Sequence, residues 1–311
     1  MAVLAAMAAG LVVPVQARLN GELNHRLHDS IAAAAINFSV GFVLLSVLVL
    51  FSSGLRGALR RLAGASRDRR FPRRYLLAGA LGGTFALAQS SAALVTGVAV
   101  FTVSAIAGQT FGGLVVDSRG IGSSLRRRPG AARLTGAAVI LVAAVVSALP
   151  RVTGSLTPTT IILPVVAAIA AGFLLGVQQA LNGAVTAASG SPLAATWLSF
   201  LAGAVFLVTA WGVKTLVKGT AGFPLPTSLW VYLGGLCGVV FIGASAFLVR
   251  RIGVLLLTMA SIAGQLVGSI ALDFLVPSNG ESPSVLTILG ALLTFGAVWI
   301  ASRRPHDTPA K

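Results

Sequence analysis

SAIAGQTFGGLVVD, Ser104 to Asp117, and ASIAGQLVGSIALD, Ala260 to Asp273, are two copies of one stretch, in register without a gap. Ile106, Ala107, Gly108, Gln109, Gly112 and Asp117 recur as Ile262, Ala263, Gly264, Gln265, Gly268 and Asp273. Both copies lie in apolar runs long enough to cross a bilayer, which takes roughly 20 residues. Each therefore carries an amide into hydrocarbon, where an unused polar group is costly.

The composition agrees with that reading. Hydrophobic residues make up 56% of the chain and charged residues 10%, and the mean hydropathy is +0.92. These values lie outside the range of soluble domains and mark an integral membrane protein. Cys237 is the single cysteine and sits in an apolar run, which excludes an internal disulfide and a thiolate metal cluster. His25, His28 and His306 lie outside spans or at their edges, and no His, Cys or acid cluster is visible. The sequence thus offers no catalytic site, no metal site and no cofactor.

Ten stretches read as spans: Ala2 to Asn24, Ser30 to Phe51, Tyr75 to Thr96, Val98 to Asp117, Leu134 to Leu149, Thr160 to Ala187, Pro192 to Val213, Leu229 to Val249, Gly253 to Val276 and Val285 to Ser302. The first lacks the basic leader of a secretory signal, and GLVVPVQARLNG (Gly10 to Gly21) recurs as GFLLGVQQALNG (Gly172 to Gly183), so it reads as a retained helix. The two sets of five align in order. Gln16, Asn20 and Gly21 match Gln178, Asn182 and Gly183; Gly41 matches Gly203; Gly79 and Gly82 match Gly235 and Gly238; Gly97 matches Gly253; Gly136 matches Gly290. The expected architecture is all-α, with one five-helix repeat in residues 1–150 and a second in 151–311. An odd number of spans per unit makes the second copy enter from the opposite side, so the repeats are inverted.

Loop charges test the inversion independently. The loop after the second span holds Arg56, Arg60, Arg61, Arg67, Arg69, Arg70, Arg73 and Arg74, whereas its partner after the seventh holds Lys214 and Lys218. Conversely, the cation-free connection after the third span matches one carrying Arg250 and Arg251. With both termini cytoplasmic, eighteen cations fall inside and five outside, a strong positive-inside bias. The basic excess therefore reports orientation rather than a nucleic-acid partner. The Arg run between Ser52 and Arg74 also invites an anionic-lipid reading, with the orientation signal as the plainer one. Trp197, Trp211, Trp230 and Trp299 fall near span ends, as an aromatic belt does.

Polar residues repeated in both halves are the candidates for a substrate path, because inverted repeats bring such positions together near the midplane. Gln16 and Asn20 share one helix face and Gln178 and Asn182 copy it, while Gln109 and Gln265 add one amide each. These six carboxamides can donate and accept hydrogen bonds without charge. The competing reading makes them helix glue, each contributing about 1 kcal/mol or less. The Gly108/Gly112 and Gly264/Gly268 pairs have the spacing of close helix packing.

Asp117 and Asp273 end their spans about 12 Å beyond the Gln residues. They read either as solvated face markers or as gates or coupling carboxylates on opposite membrane faces. Arg18 and Glu22, four apart, have no counterparts in the second half, where Ala180 and Ala184 stand. They read as an ion pair that snorkels at the surface or, if the first helix runs on to Leu27, as a deeper coupling or gating element.

With GxxxPxQxxxNG in the first span, GxxxGxQxxxNG in the sixth and IAGQ...D in the fourth and ninth, the sequence resembles the drug/metabolite transporter superfamily, and within it the YdcZ-type inner-membrane exporter family. The resemblance covers nearly the whole chain. It implies a multi-pass protein of the bacterial inner membrane, an alternating-access carrier exporting a small polar metabolite or drug-like molecule, with protons as a candidate coupling ion. The first four spans of each half would surround the cavity, with the fifth and tenth as supports. Small multidrug resistance relatives carry a Glu in the middle of their first helix; here Glu22 lies nearer the end, which puts that coupling device in doubt. A channel or a lipid-translocating protein is the alternative. The bilayer is the expected surrounding partner, and an oligomer is permitted but not required.

Overall fold

A computed structural model of the chain describes residues 1–67, 72–121, 131–152, 158–218, 225–277 and 283–302; within these, the side chains of 117, 132–133, 151–152, 158, 245–247, 249–259 and 298–302 are not described. The described residues form ten α-helices and two 3-10 turns, with no strand. The helices are α1 (Ala2–Leu27), α2 (Ser30–Phe51), α3 (Ser53–Arg67), α4 (Ala78–Thr96), α5 (Val98–Arg119), α6 (Ala131–Val152), α7 (Pro158–Ser189), α8 (Pro192–Lys218), α9 (Leu233–Leu275) and α10 (Val285–Ser302). Among the described residues, six segments are long and apolar enough to cross a membrane: Ala2–Leu27, Ser30–Phe51, Arg73–Thr96, Val98–Val116, Thr159–Ser189 and Pro192–Lys218. Four shorter apolar helices are Leu134–Pro150, Leu229–Ala244, Ala260–Leu275 and Val285–Ala297.

Two elements depart from the expected spans. The stretch after α2, read from sequence as a loop, contains α3, an amphipathic helix that buries Leu55, Ala58 and Leu62 on one face. Arg56, Arg60, Arg61 and Arg67 stay exposed, and Arg61 Nε donates to the carbonyl of Ser189 at the end of α7, where the helix dipole favours a cation. The eighth and ninth expected spans both fall within α9. Its two ends nevertheless run in opposite senses along α1. Gly234 abuts Asn20, Gly238 abuts Gln16, and Leu248 packs with Ala6; thereafter Ala260 also packs with Ala6, Gly264 abuts Met7, and Gly268 abuts Leu11 and Pro14. The same reversal occurs on α7. Gly82 of α4 abuts Gln178, whereas Gly108 and Gly112 of α5 abut Ile169 and Phe173. Here the chain turns at Gly97, whose φ of 82° is a conformation that favours glycine.

Small residues set the helix spacing. A Cβ at Gly108 would collide with the backbone oxygen of Ile169, and one at Gly264 with that of Met7. The pairs Gly172/Ala105 and Gly10/Ser261 repeat this, as do Gly79/Ser199 and Gly235/Asn37. In each case the partners occupy matching positions of the two halves with roles exchanged, so the first helix of each half rests on the fourth span of the other and the second helix on the third. Gly41 faces Phe200 while Gly203 faces Phe38, and those rings stack with centroids 5.0 Å apart. Such approaches need glycine because hydrocarbon supplies no hydrophobic drive, leaving close van der Waals packing to hold the helices.

Candidate functional site

The bundle buries two groups of carboxamides, one per half. In the first, Asn20 Nδ2 of α1 donates to Gln89 Oε1 of α4 at 2.7 Å. Asn37 of α2 stands beside them and donates its Nδ2 to the carbonyl of Ala33 at 3.2 Å. Asn20, Asn37 and Gln89 are 0%, 2% and 1% exposed. Gln16, one turn before Asn20 and half-buried, lies against Gly238 of α9. Asn24 extends the line by donating to the carbonyl of Ser90 at 2.8 Å. In the second half, Ser199 Oγ donates to Asn182 Oδ1 at 2.7 Å, and the buried Gln178 amide presses on Gly82 of α4.

Four of the six expected amides, Gln16, Asn20, Gln178 and Gln109, thus lie at contacts between α1 or α7 and the opposite half, whereas the bond of Asn182 stays within its own half. Gln109 Nε2 donates to Gln179 Oε1 at 3.1 Å across the α5–α7 contact. Gln265 is half-buried on α9, without a hydrogen-bond partner among the described residues. Gln89 and Asn37 were absent from the sequence expectation because they do not recur as amides: Ser245 and Ser199 hold the matching places. An amide inside an apolar run was the available signal, whether repeated or not.

The charged candidates change role. Asp273 is 2% exposed, and its carboxylate accepts from Val98 N at 3.1 Å and Ala99 N at 2.8 Å. It caps α5, whose preceding residue, Gly97, has no side chain to do so. A solvated face marker it is not. The side chain of Asp117 lies outside the described residues. Glu22 pairs with Arg26, not Arg18: Arg26 Nε donates to Glu22 Oε1 at 2.8 Å, with the two side chains 33% and 26% exposed. Arg26 also donates to Ser228 Oγ at 2.9 Å and lies over the Trp230 ring. The helix does run on to Leu27, so Glu22 sits within α1 rather than beyond it. Arg18 is half-buried on the same helix.

An ion pair not anticipated from sequence joins the half-buried Lys214 Nζ of α8 to the buried Asp29 Oδ2 at 2.8 Å. The Asp29 Oδ1 caps α2, accepting from Ile31 N and Ala32 N. Elsewhere, a groove of about 520 Å³ between α5, α6 and α7 is lined by apolar groups, among them Phe111, Leu141, Val166 and Phe173.

Bilayer-length apolar helices mark a membrane protein, and comparison with known proteins points the same way. The family model described as "Putative inner membrane exporter, YdcZ" matches residues 1–146 and 163–300. This chain belongs to that family. A YdcZ-family relative, "Inner membrane protein YdcZ" of Escherichia coli (strain K12), is 34% identical over 141 residues, which are 44% of this chain and 92% of the relative. As a YdcZ-family member with many apolar helices, the chain is a multi-pass protein of the inner membrane.

Proposed function

We propose that the chain is a secondary active transporter that exports a small polar metabolite or drug-like molecule by alternating access. Its ten spans form two inverted five-helix repeats, residues 1–150 and 151–311, with both termini cytoplasmic. The observation that carries this reading is the exchange of partners between the halves: the close backbone approaches at Gly108, Gly172 and Gly79 recur at Gly264, Gly10 and Gly235. Two bundles that grip one another through matching contacts from opposite sides can rock about a central site with little change in packing.

The contacts between span ends support the topology. Asp29 with Lys214, Arg26 with Ser228, Asp273 with Val98, and Thr287 with Ser147 each join ends that the charge pattern assigns to the outer face. Arg61 with Ser189 and Trp197 with Ser46 join ends assigned to the inner face. The two segments matched by the family model fall on either side of the proposed repeat boundary, and the E. coli relative corresponds in length to one repeat. Gln16, Asn20, Gln178, Asn182, Gln109 and Gln265 line the proposed substrate path; Arg18, Glu22, Asp117 and Asp273 remain the candidates for coupling or gating.

Two experiments test this. Single cysteines at 67–70 and just after Leu149 should react with impermeant thiol reagents from opposite faces; labelling from one face would overturn the inverted topology. Gln109→Leu and Gln265→Leu should abolish saturable counterflow in proteoliposomes at near-normal expression, and full activity would return both amides to packing. The apolar groove between α5, α6 and α7 favours a second reading, lipid translocation. Flipping of a fluorescent phospholipid without any solute counterflow would select it.

A further inference from the structure

The first amide group has bonding capacity that the protein leaves unused. Among the described residues, Asn20 Oδ1, Asn37 Oδ1 and Gln89 Nε2 are buried without a partner. The two oxygens converge at Gly234 of α9, where a Cβ would collide with both. Each such group loses its water on burial and gains nothing in return, a cost that proteins rarely leave standing.

The matching place in the second half is closed. Ser199 stands for Asn37 and Ala78 for Gly234, and the Ser199 hydroxyl satisfies Asn182 Oδ1 directly. Two changes relative to that half, a longer amide and a missing methyl, therefore expose two acceptors side by side near the free amide hydrogens of Gln89. The packing geometry itself is shared, because Gly235 meets the backbone oxygen of Asn37 just as Gly79 meets that of Ser199.

We propose that this cluster is the recognition subsite of the carrier, and that it takes the uncharged amide edge of a solute, with N–H donors beside a carbonyl acceptor. A primary carboxamide, a urea or the amide edge of a nucleobase presents that pattern. The donors fall to Asn20 Oδ1 and Asn37 Oδ1, and the acceptor to Gln89 Nε2. A cationic group is disfavoured because the acids on the neighbouring helix ends are already committed: Asp29 to Lys214 and Glu22 to Arg26. A cation would enter this site with no counter-charge. The inference rests on the carrier reading, since the three side chains are closed to solvent in this conformation and a solute enters only when the halves rock apart.

The test is equilibrium binding of radiolabelled nicotinamide, which carries a primary carboxamide, to the full-length protein in detergent. Saturable binding is expected, competed by excess acetamide and not by methylammonium or acetate. Asn37→Ser with Gly234→Ala, which rebuilds the closed second-half arrangement, should weaken binding at least tenfold, and Ser199→Ala should not. If the double variant fails to fold, Asn37→Asp serves instead, and methylammonium should then become a competitor. Competition by methylammonium in the parent protein, unchanged binding in the folded variants, or no binding at all, meaning that the cluster holds water only, would overturn the inference. Proteoliposome counterflow separates the two readings. Saturable flux of some solute without amide binding overturns this subsite and leaves the carrier standing; amide binding lost in the variants without any counterflow supports the subsite and overturns the carrier.

Discussion

The two carboxamide groups are built on the same helix contacts and differ in how their polar atoms are spent. Beside α7, the short Ser199 side chain closes on Asn182 Oδ1. Beside α1, Asn20 reaches across to Gln89 while its own oxygen and that of Asn37 stay unpaired. Duplication has kept the backbone approaches, which any change of side-chain size at a glycine would break, and released the polar pairings, which tolerate drift as long as one partner compensates. Symmetry in this chain therefore describes the scaffold, and asymmetry marks the proposed recognition subsite.

The scaffold side of that comparison has the largest expected effects. Gly108→Leu and Gly264→Leu drive a side chain into the backbone of the opposing helix, and each should destabilise by about 3 kcal/mol or more through overpacking. Loss of the monodisperse peak in size-exclusion chromatography would report it. The two should behave alike, and a folded, stable variant at one site alone would break the equivalence of the halves.

Asp273→Ala comes next. It strips a buried carboxylate from two backbone N–H groups of α5, and charge-assisted hydrogen bonds of this kind contribute about 1.5–3 kcal/mol each. A clearly lower thermal midpoint in detergent is expected; an unchanged one would mean that α5 finds another cap.

The amide groups sharpen the contrast further. Gln89→Leu strands the fully buried Asn20 Nδ2 and should lower stability by about 1–3 kcal/mol, whereas Ser199→Ala leaves only the half-buried Asn182 Oδ1 without its donor and should cost about 1 kcal/mol. Transport should separate them, with Gln89→Leu losing most of its activity and Ser199→Ala keeping it. Equal losses would place recognition in both halves. The smallest effect is expected from Glu22→Gln, whose ion pair with Arg26 is a third exposed at most and of a kind that contributes about 0–1 kcal/mol. The pH dependence of transport should stay as it is, and its loss would make Glu22 the coupling group.

Some of the site was readable before any coordinates and some was not, for physical reasons tied to particular residues. The glycines and the Gln16/Asn20 and Gln178/Asn182 faces were legible because a duplicated contact leaves duplicated residues. Gln89 and Asn37 were passed over because recurrence was the filter, and these two matter by differing from their counterparts. Asp273 looked like a surface residue because a carboxylate at the end of an apolar run usually is one; only the packing of α9 against the start of α5 reveals backbone donors waiting for it. Likewise, the choice of Glu22 between Arg18 and Arg26, both four residues away, is not encoded in spacing.

Sequence alone determined that the chain lives in a membrane, that a set of residues recurs in order in its two halves and that glycines stand where helices meet, since hydropathy and repetition are local properties of the string. Tertiary structure decided the rest. The reversal of α9 along α1, the exchange of partners between halves and the meeting of Asn20, Asn37 and Gln89 at Gly234 depend on which helices become neighbours. That choice is made by the shape of packed surfaces rather than by any one segment.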